Sequence, residues 1–433
     1  MMTVAYLANR FPSVVEPYVM EEIEELRRRG VRVVAGSVRR PRTDKALSSK
    51  YVPELVLQRL SAVILLRAVW LCVRQWRQIS SLIARVVFHG REGPLQRCKA
   101  LAHTGLGACY AILLEGRGVD HIHVHHGYFG SWIAIVAARL LGVGFSMTLH
   151  GSDLLLHEVY LDAKLEACAF CLTVSEFNRR YILERYPRMD AAKVVVARLG
   201  VEVSERVARP VSGSRIGSAP FTLLAVGRLH AVKDHAFLVR ACGQLRGSNV
   251  SFECLIAGAG PERRNLEALI RRCGLEERVR LLGHVPRERM DSFYDRADLV
   301  VLTSRSEGIP LVLMEAMARG KIVLAPAITG IPELVIAGRT GFLYAPGSLE
   351  SFVDRLLFIR SLMAAPGPSA SEPSAAGVSE ARELEWIRHA AWVQVRNNFN
   401  RSKNLEFFGD LFMQRIAPQT ESLPDENFVL QQI

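Results

Sequence analysis

Short apolar runs recur along the chain, each followed by a polar loop and then a stretch with helical spacing. Residues 3–7 form the first run, and a loop at 9–16 follows it. Pro17 then opens a helix over 18–29, rich in Glu on one side, and Gly30 closes it before a second apolar run at 31–35. Proline at a helix start and glycine just past its end sit where their backbone peculiarities cost least. Strand, helix and strand in that order predict a parallel sheet with helices on both faces. Strands are further expected at 121–126, 145–149, 171–175 and 194–197, with helices at 132–141 and 176–186.

The rhythm stops at 209–220, a stretch rich in Pro, Gly and Ser that reads as an interdomain linker. It restarts at 221–226 and continues through 252–256, 279–282, 299–302 and 322–325. Helical spacing returns at 349–362 and 380–416, around a Pro/Ala/Ser/Gly tract at 364–378 that reads as a flexible loop. The tail from 418 is polar and reads as loose. A chain of 433 residues is too long for one ordinary core and suggests two domains of about 200 residues each. In parallel sheets, ligands bind beyond the carboxyl ends of the strands, so the loops after strands are the places to search.

The most informative loop is 304–310, between the apolar run 299–302 and a short helix that Pro310 starts and Gly320 ends. It brings Glu307 and several backbone N–H groups to a helix N-terminus, while Glu315 lies on the helix itself. First-turn N–H groups have no intrahelical partner, and the dipole there is positive. Two carboxylates beside an anion-ready helix end suit a ligand with both phosphates and hydroxyls. Gly227, Arg228 and Lys233 follow another strand and again point to phosphate, Arg as a fork and Lys as a point charge. Gly258-Ala259-Gly260 lacks the third glycine and later acid of a dinucleotide fingerprint.

In the first half, His125 and His150 each end a strand, and Gly151 after His150 allows close backbone approach. His150 is the better candidate for an active-site hydrogen bond. Glu16, just before Pro17, holds a substrate hydroxyl or caps the helix. The alternating His121, His123 and His125 with His126 lack a carboxylate at ligand spacing, so metal is the lesser reading. Cys168 and Cys171 lack the further ligands of a zinc site and read as core. The eight cysteines are scattered, which predicts reduced thiols in a cytosolic setting.

Net charge is +12. Alone this does not choose among nucleic acid, anionic lipid and phosphorylated substrates. Segment 55–91 sharpens the question, because Arg59, Arg67, Arg74, Arg77, Arg85 and Arg91 occur there without an acid between Glu54 and Glu92. On one continuous helix at about 100° per residue they share a sector of roughly 120°. The segment either docks on anionic lipid, with tryptophans near the interface, or packs on the sheet with a basic solvated side. It lacks the aromatic platforms of a nucleic-acid site, Trp70 apart. The N-terminus does not read as a signal peptide, and no apolar run nears the roughly 18 uncharged residues of a membrane span.

Taken together, Gly227-Arg228-Leu229 with Lys233, Gly258-Ala259-Gly260-Pro261, Gly283-His284-Val285, Ser306-Glu307-Gly308-Ile309-Pro310 with Glu315, Gly330-Ile331-Pro332-Glu333 and Gly341-Phe342 closely resemble the retaining glycosyltransferases of family 4. Phe11-Pro12, Glu16, His125 and Thr148-Leu149-His150-Gly151-Ser152-Asp153 are similar to the colanic-acid and exopolysaccharide type.

The resemblance implies an α/β GT-B fold, two Rossmann-like domains facing a cleft, with the C-terminal helix crossing back to the first. It implies an acceptor-binding domain at 1–205, a linker at 206–219, a nucleotide-sugar domain at 220–395, and a C-terminal helix and tail at 396–433. Glu307 would face the donor sugar and His150 would touch it near the reacting carbon. Glu315 would hold the ribose hydroxyls, and Gly308, Ile309, Pro310 and Leu311 would offer N–H groups to diphosphate and sugar. Arg228 and Lys233, beside Gly227, would neutralise the leaving diphosphate, and Val285 would line the base pocket. Glu16, His125 and Asp153 fall on the acceptor side of the cleft.

The partners so implied are a UDP- or GDP-linked sugar and a glycan or lipid-linked acceptor, on a cytoplasmic protein; the arginines of 55–91 add an anionic membrane surface as a further candidate. Neither a cofactor nor a metal is expected, since no Asp-x-Asp is placed to bind a metal–diphosphate. Asp234 departs from the glycine that many members carry after the lysine, and a carboxylate there is unfavourable unless it points away. An epimerase of the same architecture and an inactive membrane scaffold are the alternatives.

Overall fold

The computed structural model describes residues 1–13, 16–40, 51–58, 60–89, 92–205, 220–248, 250–364 and 375–417, with side chains from 382 onward in the last segment. Arg59, Arg91, the linker at 206–219, most of the tract at 364–378 and the tail from 418 lie outside the described residues.

The first domain is built on a seven-stranded sheet in the order β3-β2-β1-β4-β5-β6-β7. The strands are β1 Thr3–Arg10, β2 Arg32–Arg39, β3 Leu55–Val56, β4 His121–His125, β5 Gly144–Leu149, β6 Phe170–Thr173 and β7 Val194–Val196. The second domain carries six strands in the order β10-β9-β8-β11-β12-β13. These are β8 Phe221–Val226, β9 Phe252–Ala257, β10 Val279–Gly283, β11 Leu299–Val301, β12 Ile322–Pro326 and β13 Phe342–Tyr344. Adjacent strands pair in parallel in both sheets. Helices cover both faces of such sheets, which is why the strands read as continuous apolar runs. Strand order reverses beside β1 and again beside β8, so each domain has a crevice at the carboxyl ends of those strands.

The expected helix at 380–416 is two helices, because the chain turns at Phe399 and Asn400. The Ala375–Asn398 helix packs in the second domain, where Ala391 and Val395 join Leu313 and Met314. Asn400 caps the next helix, Arg401–Ile416, by accepting from the Lys403 N–H. That helix lies on the first domain, with Phe408 and Phe412 in one core with Tyr6, Ile23 and Phe170. Arg401 reaches Glu21 at 2.9 Å, and Arg29 pairs with Asp410.

Segment 55–91 holds two helices, Ala62–Arg74 and Trp76–Val87, broken at Gln75. Only Ala68 and Leu71 of the first are fully buried. Its outer side exposes Val63, Leu66, Trp70 and Val73, at 65%, 72%, 58% and 72% of their full accessibility. The apolar residues of this segment are therefore not all packed inward. Arg67 pairs with Glu115, Arg85 with Glu92 and Asp162, and Arg74 stands 5.0 Å over the Trp70 ring. No element is expected from the pattern at 92–120, yet the Pro94–Leu114 helix lies there. From Gly107 onward this helix is buried on nearly every side, so it shows no clean one-sided stripe.

The placement of the last helix yields a prediction. Phe412→Ala removes a fully buried ring and is expected to cost about 3–5 kcal/mol, measured by urea unfolding of the first domain. A loss under about 1 kcal/mol would mean that this helix is not part of that core.

Candidate active site

Two loops from different domains touch backbone to backbone. His150 and Gly151 follow β5, and Glu307 and Gly308 lie in the loop after β11. A Cβ on Gly308 would stand 1.9 Å from the His150 carbonyl oxygen, and one on Gly151 would stand 2.8 Å from the Gly308 nitrogen. No side chain fits at either position, so glycine is a geometric requirement of the closed cleft. The same carbonyl accepts from Asn178 Nδ2 at 3.3 Å. A second tie crosses nearby: the Glu333 carboxylate accepts from the N–H groups of Glu176 and Phe177 at 3.0 and 2.7 Å. In sequence Glu333 stands out only as part of a motif; its position at a helix N-terminus of the other domain becomes visible only in three dimensions.

On the second-domain side, Lys233 donates to the Glu307 carboxylate. Pro310 is the N-cap of the Leu311–Ala318 helix, one place earlier than expected. That leaves the first-turn N–H groups beside Gly308, Ile309 and Leu311, where an anion is favoured. Glu315 accepts from the Tyr294 hydroxyl at 2.8 Å. Arg228 is exposed in the cleft and has no ion pair among the described residues. Asp234 does not face it: its carboxylate caps the Phe237 N–H and accepts from Arg305 Nε at 2.7 Å. The Gly227 backbone packs over the Lys233 stem. Val285 is half-buried just beyond β10. The hydroxyls of Ser304, Ser306 and Thr329 are buried without a partner among the described residues. Thr329 was not anticipated from sequence.

On the first-domain side, His125 is not at the cleft surface. Its side chain is fully buried behind His150, with Nδ1 2.9 Å from His150 Nε2 and Nε2 2.9 Å from Glu22 Oε2. Tyr6 donates to the same Glu22 oxygen. The His125 ring thus bridges Glu22 and His150 through its two nitrogens. One His150 nitrogen, Nε2, is thereby engaged, and Nδ1 has no protein partner among the described residues. Burial, then His126 and His125 beside it, hold His150 well below its ordinary value, so the ring is neutral. Sequence alone did not find Glu22, which looks like one more acid on a Glu-rich helix.

Asp153, also expected near the cleft, is fully buried. It accepts from the N–H groups of Gly127, His150 and Gly151 at 2.9, 3.1 and 2.8 Å, and so fixes the loop rather than meeting a ligand. Glu16 makes no side-chain cap bond to its helix; its carboxylate lies 3.1 Å from His126 Nε2. Burial opposes the charge on His126, but Asp153 and Glu16 on its two sides outweigh burial and lift it to about 10. Burial likewise opposes ionisation of Asp153, and the His126 charge, with Nδ1 3.5 Å from the carboxylate, holds it well below the usual carboxylate range. Glu22, His123 and His125 bring possible ligand atoms within 4.8 Å of one another. Both His123 nitrogens already meet hydroxyls, Ser146 at 2.7 Å and Thr148 at 3.1 Å, so the cluster reads as hydrogen-bonded core.

Two parallel-sheet domains with their strand ends facing across a cleft define the GT-B architecture. Residues 15–205 match the family described as Glycosyltransferase Family 4, and residues 212–363 match Glycosyl transferases group 1. The chain belongs to glycosyltransferase family 4. It is 35% identical over 170 residues to the putative colanic acid biosynthesis glycosyltransferase WcaL of Salmonella typhimurium, which covers 38% of this chain and 41% of that protein. It is 30% identical over 263 residues to the amylovoran biosynthesis glycosyltransferase AmsK of Erwinia amylovora, 52% of this chain and 62% of that one. The matches thus span less than two thirds of each of these relatives. Among solved structures, Anabaena HepE in complex with UDP and glucose superposes with a TM-score of 0.64 at 18% identity, over 96% of this chain and 100% of that one.

The His126 network has a defined pH dependence. A value of about 10 against an ordinary value of roughly 6.5 means that the folded state holds this proton more tightly. Its stabilisation is therefore complete below about pH 6.5 and lost as pH rises toward 10. The depressed Asp153 acts oppositely, contributing above roughly pH 4 and fading in acid. His126→Asn keeps a residue tolerant of the left-handed φ of 70° found there. The Tm difference from wild type should be greatest near pH 4–6.5 and shrink toward pH 10; a pH-independent difference would refute the charge assignment.

Proposed function

We propose that the chain transfers a sugar from a UDP- or GDP-linked donor to a glycan or lipid-linked acceptor with retention of configuration, in cell-surface or exopolysaccharide synthesis. The observation that carries this reading is the Lys233–Glu307 pair, set opposite His150 where the two domains touch. The bond from the anomeric carbon to the diphosphate breaks as the acceptor oxygen bonds to that carbon, and the acceptor hydroxyl proton passes to an oxygen of the departing diphosphate. Charge then grows on the departing diphosphate, and Lys233, Arg228 and the Leu311–Ala318 helix start are the fixed positive groups that lower the barrier there. His150, neutral and with Nδ1 unpartnered by protein among the described residues, suits a donor-sugar hydroxyl, and Glu315 suits the ribose hydroxyls. The bound UDP and glucose of HepE and the exopolysaccharide roles in the names of WcaL and AmsK support this choice. Retention rests on the family relation.

Glu307→Ala should lower transfer on the order of 10²-fold while UDP or GDP still binds, read by product formation from a nucleotide-sugar screen. Near-normal turnover would sink the reading. A changed sugar recovered on the nucleotide without any acceptor would favour an epimerase, and absence of nucleotide binding would favour a scaffold.

The reading includes attachment to an anionic bilayer at the cytoplasmic face. No helix among the described residues is long and apolar enough to cross a membrane. The exposed Val63, Leu66, Trp70 and Val73, with Arg67, Arg74 and Arg77 exposed beside them, combine apolar contact with attraction to anionic headgroups. All eight cysteines are unbridged, which fits a reducing compartment. Vesicles containing phosphatidylglycerol should sediment the protein and neutral vesicles far less, with Trp70→Ser plus Val73→Ser lowering the bound fraction severalfold. Unchanged sedimentation of that variant would remove the helix from the interface.

A further inference from the structure

The second domain reaches the first through a carboxylate as well as through glycine. Glu333 lies on the short Ile331–Leu334 helix after β12. Its backbone is held in its own domain: the N–H donates to the Gly330 carbonyl at 3.1 Å, and the carbonyl accepts from Gln394 Nε2 at 2.9 Å. Its side chain, by contrast, makes its polar contacts only with the first domain among the described residues. The two oxygens accept from the Glu176 and Phe177 N–H groups, and Arg198 Nη2 stands 3.7 Å from one of them.

The place it fills is the start of the Glu176–Arg185 helix. Ser175 caps that helix by accepting from the Asn178 N–H, which leaves the N–H groups of 176 and 177 for another acceptor. The dipole there favours an anion, and Glu333 supplies it from the opposite domain. The same helix start also holds the His150 loop, because Asn178 Nδ2 donates to the His150 carbonyl, the oxygen that Gly308 passes beneath.

Gly330, three residues before Glu333, is pressed between these parts. A Cβ there would lie 2.4 Å from the Gly308 carbonyl oxygen and 3.1 Å from Ser175 Cβ. Just before it, Thr329 is held at a φ of 45°, a left-handed conformation that a β-branched residue keeps only where its surroundings enforce it. The loops after β5, β6, β11 and β12 therefore meet at one point, and a shift of Glu333 off the helix start is passed through Gly330 to Gly308 without slack.

We propose that Glu333 is a positioning residue for transfer: by seating on the Glu176–Arg185 helix it sets the spacing between His150 and the Lys233–Glu307 pair. It touches neither the sugar nor the diphosphate and acts through Gly308 and His150. The proposal rests on the transferase reading above.

Glu333→Ala in the full chain tests it. UDP or GDP, held by the second domain alone, should bind within about twofold of wild type by calorimetry. The kcat with the donor chosen by the nucleotide-sugar screen should fall on the order of tenfold or more, because a misplacement of about 1 Å is costly to transfer. Glu333→Gln keeps one acceptor oxygen without the charge and should fall between the two; it carries the same test if the alanine variant does not fold. Gly308→Ala opens the same approach, so the double variant should lose little more than the worse single one, whereas independent roles would give losses that multiply. X-ray scattering reads the spacing without turnover, and the Glu333→Ala radius of gyration should exceed that of wild type. Near-normal kcat, multiplying losses, an unchanged radius or a parallel loss of nucleotide affinity would each overturn the proposal. Failure of wild type to bind UDP or GDP would sink the transferase reading instead, with the scattering result still decisive for the contact.

Discussion

Everything in the cleft depends on one backbone contact, the Gly308 Cα beneath the His150 carbonyl. With a hypothetical Cβ only 1.9 Å from that oxygen, the approach leaves no room for a side chain on either loop. It sets the spacing between the domains, and therefore how far Glu307 and Lys233 stand from the histidines opposite. It also explains why so much buried hydrogen bonding converges just behind His150. A loop that must offer its carbonyl to another domain at this range cannot drift. Asp153 holds it through the N–H groups of His150 and Gly151, and Asn178 holds the carbonyl itself.

That support has an electrostatic cost, which the His126 ion set offsets. An isolated carboxylate as deeply buried as Asp153 would be protonated. His126, between Asp153 and Glu16, supplies the opposite charge, and the three groups stay ionised together. The neighbouring His150 is thereby surrounded by positive charge and kept neutral. Behind it, His125 ties the ring to Glu22. Acids and bases that look alike in sequence thus separate into two kinds: Asp153, His126 and Glu22 act on the loop or ring, and only His150 is left to meet a ligand.

The architecture was legible because buried parallel strands must be apolar on both faces, and the glycine and proline punctuation was strong. The donor side was legible for a related reason: Glu307, Gly308 and Lys233 sit in short loops directly after strands, where sequence order and spatial order nearly coincide. What sequence concealed was depth. His125 and Asp153 lie as close to the strand ends as His150 does, and only packing shows that they stand behind it. The Pro94–Leu114 helix lacked a one-sided stripe because most sides of its second half are buried. For the Ala62–Arg74 helix the sequence left packing and a membrane surface open, and only packing shows that Val63, Leu66, Trp70 and Val73 face solvent.

The distribution of charge around the cleft ties these features together. At the donor loop, cations alternate with acids: Lys233 is matched by Glu307, and Arg305 by Asp234. Such a site can take an anion only by exchanging one partner for another, which favours a ligand whose own hydroxyls and phosphates replace the contacts it breaks. Arg228, exposed beside this loop, has no ion pair among the described residues, so it can meet an anion without such an exchange.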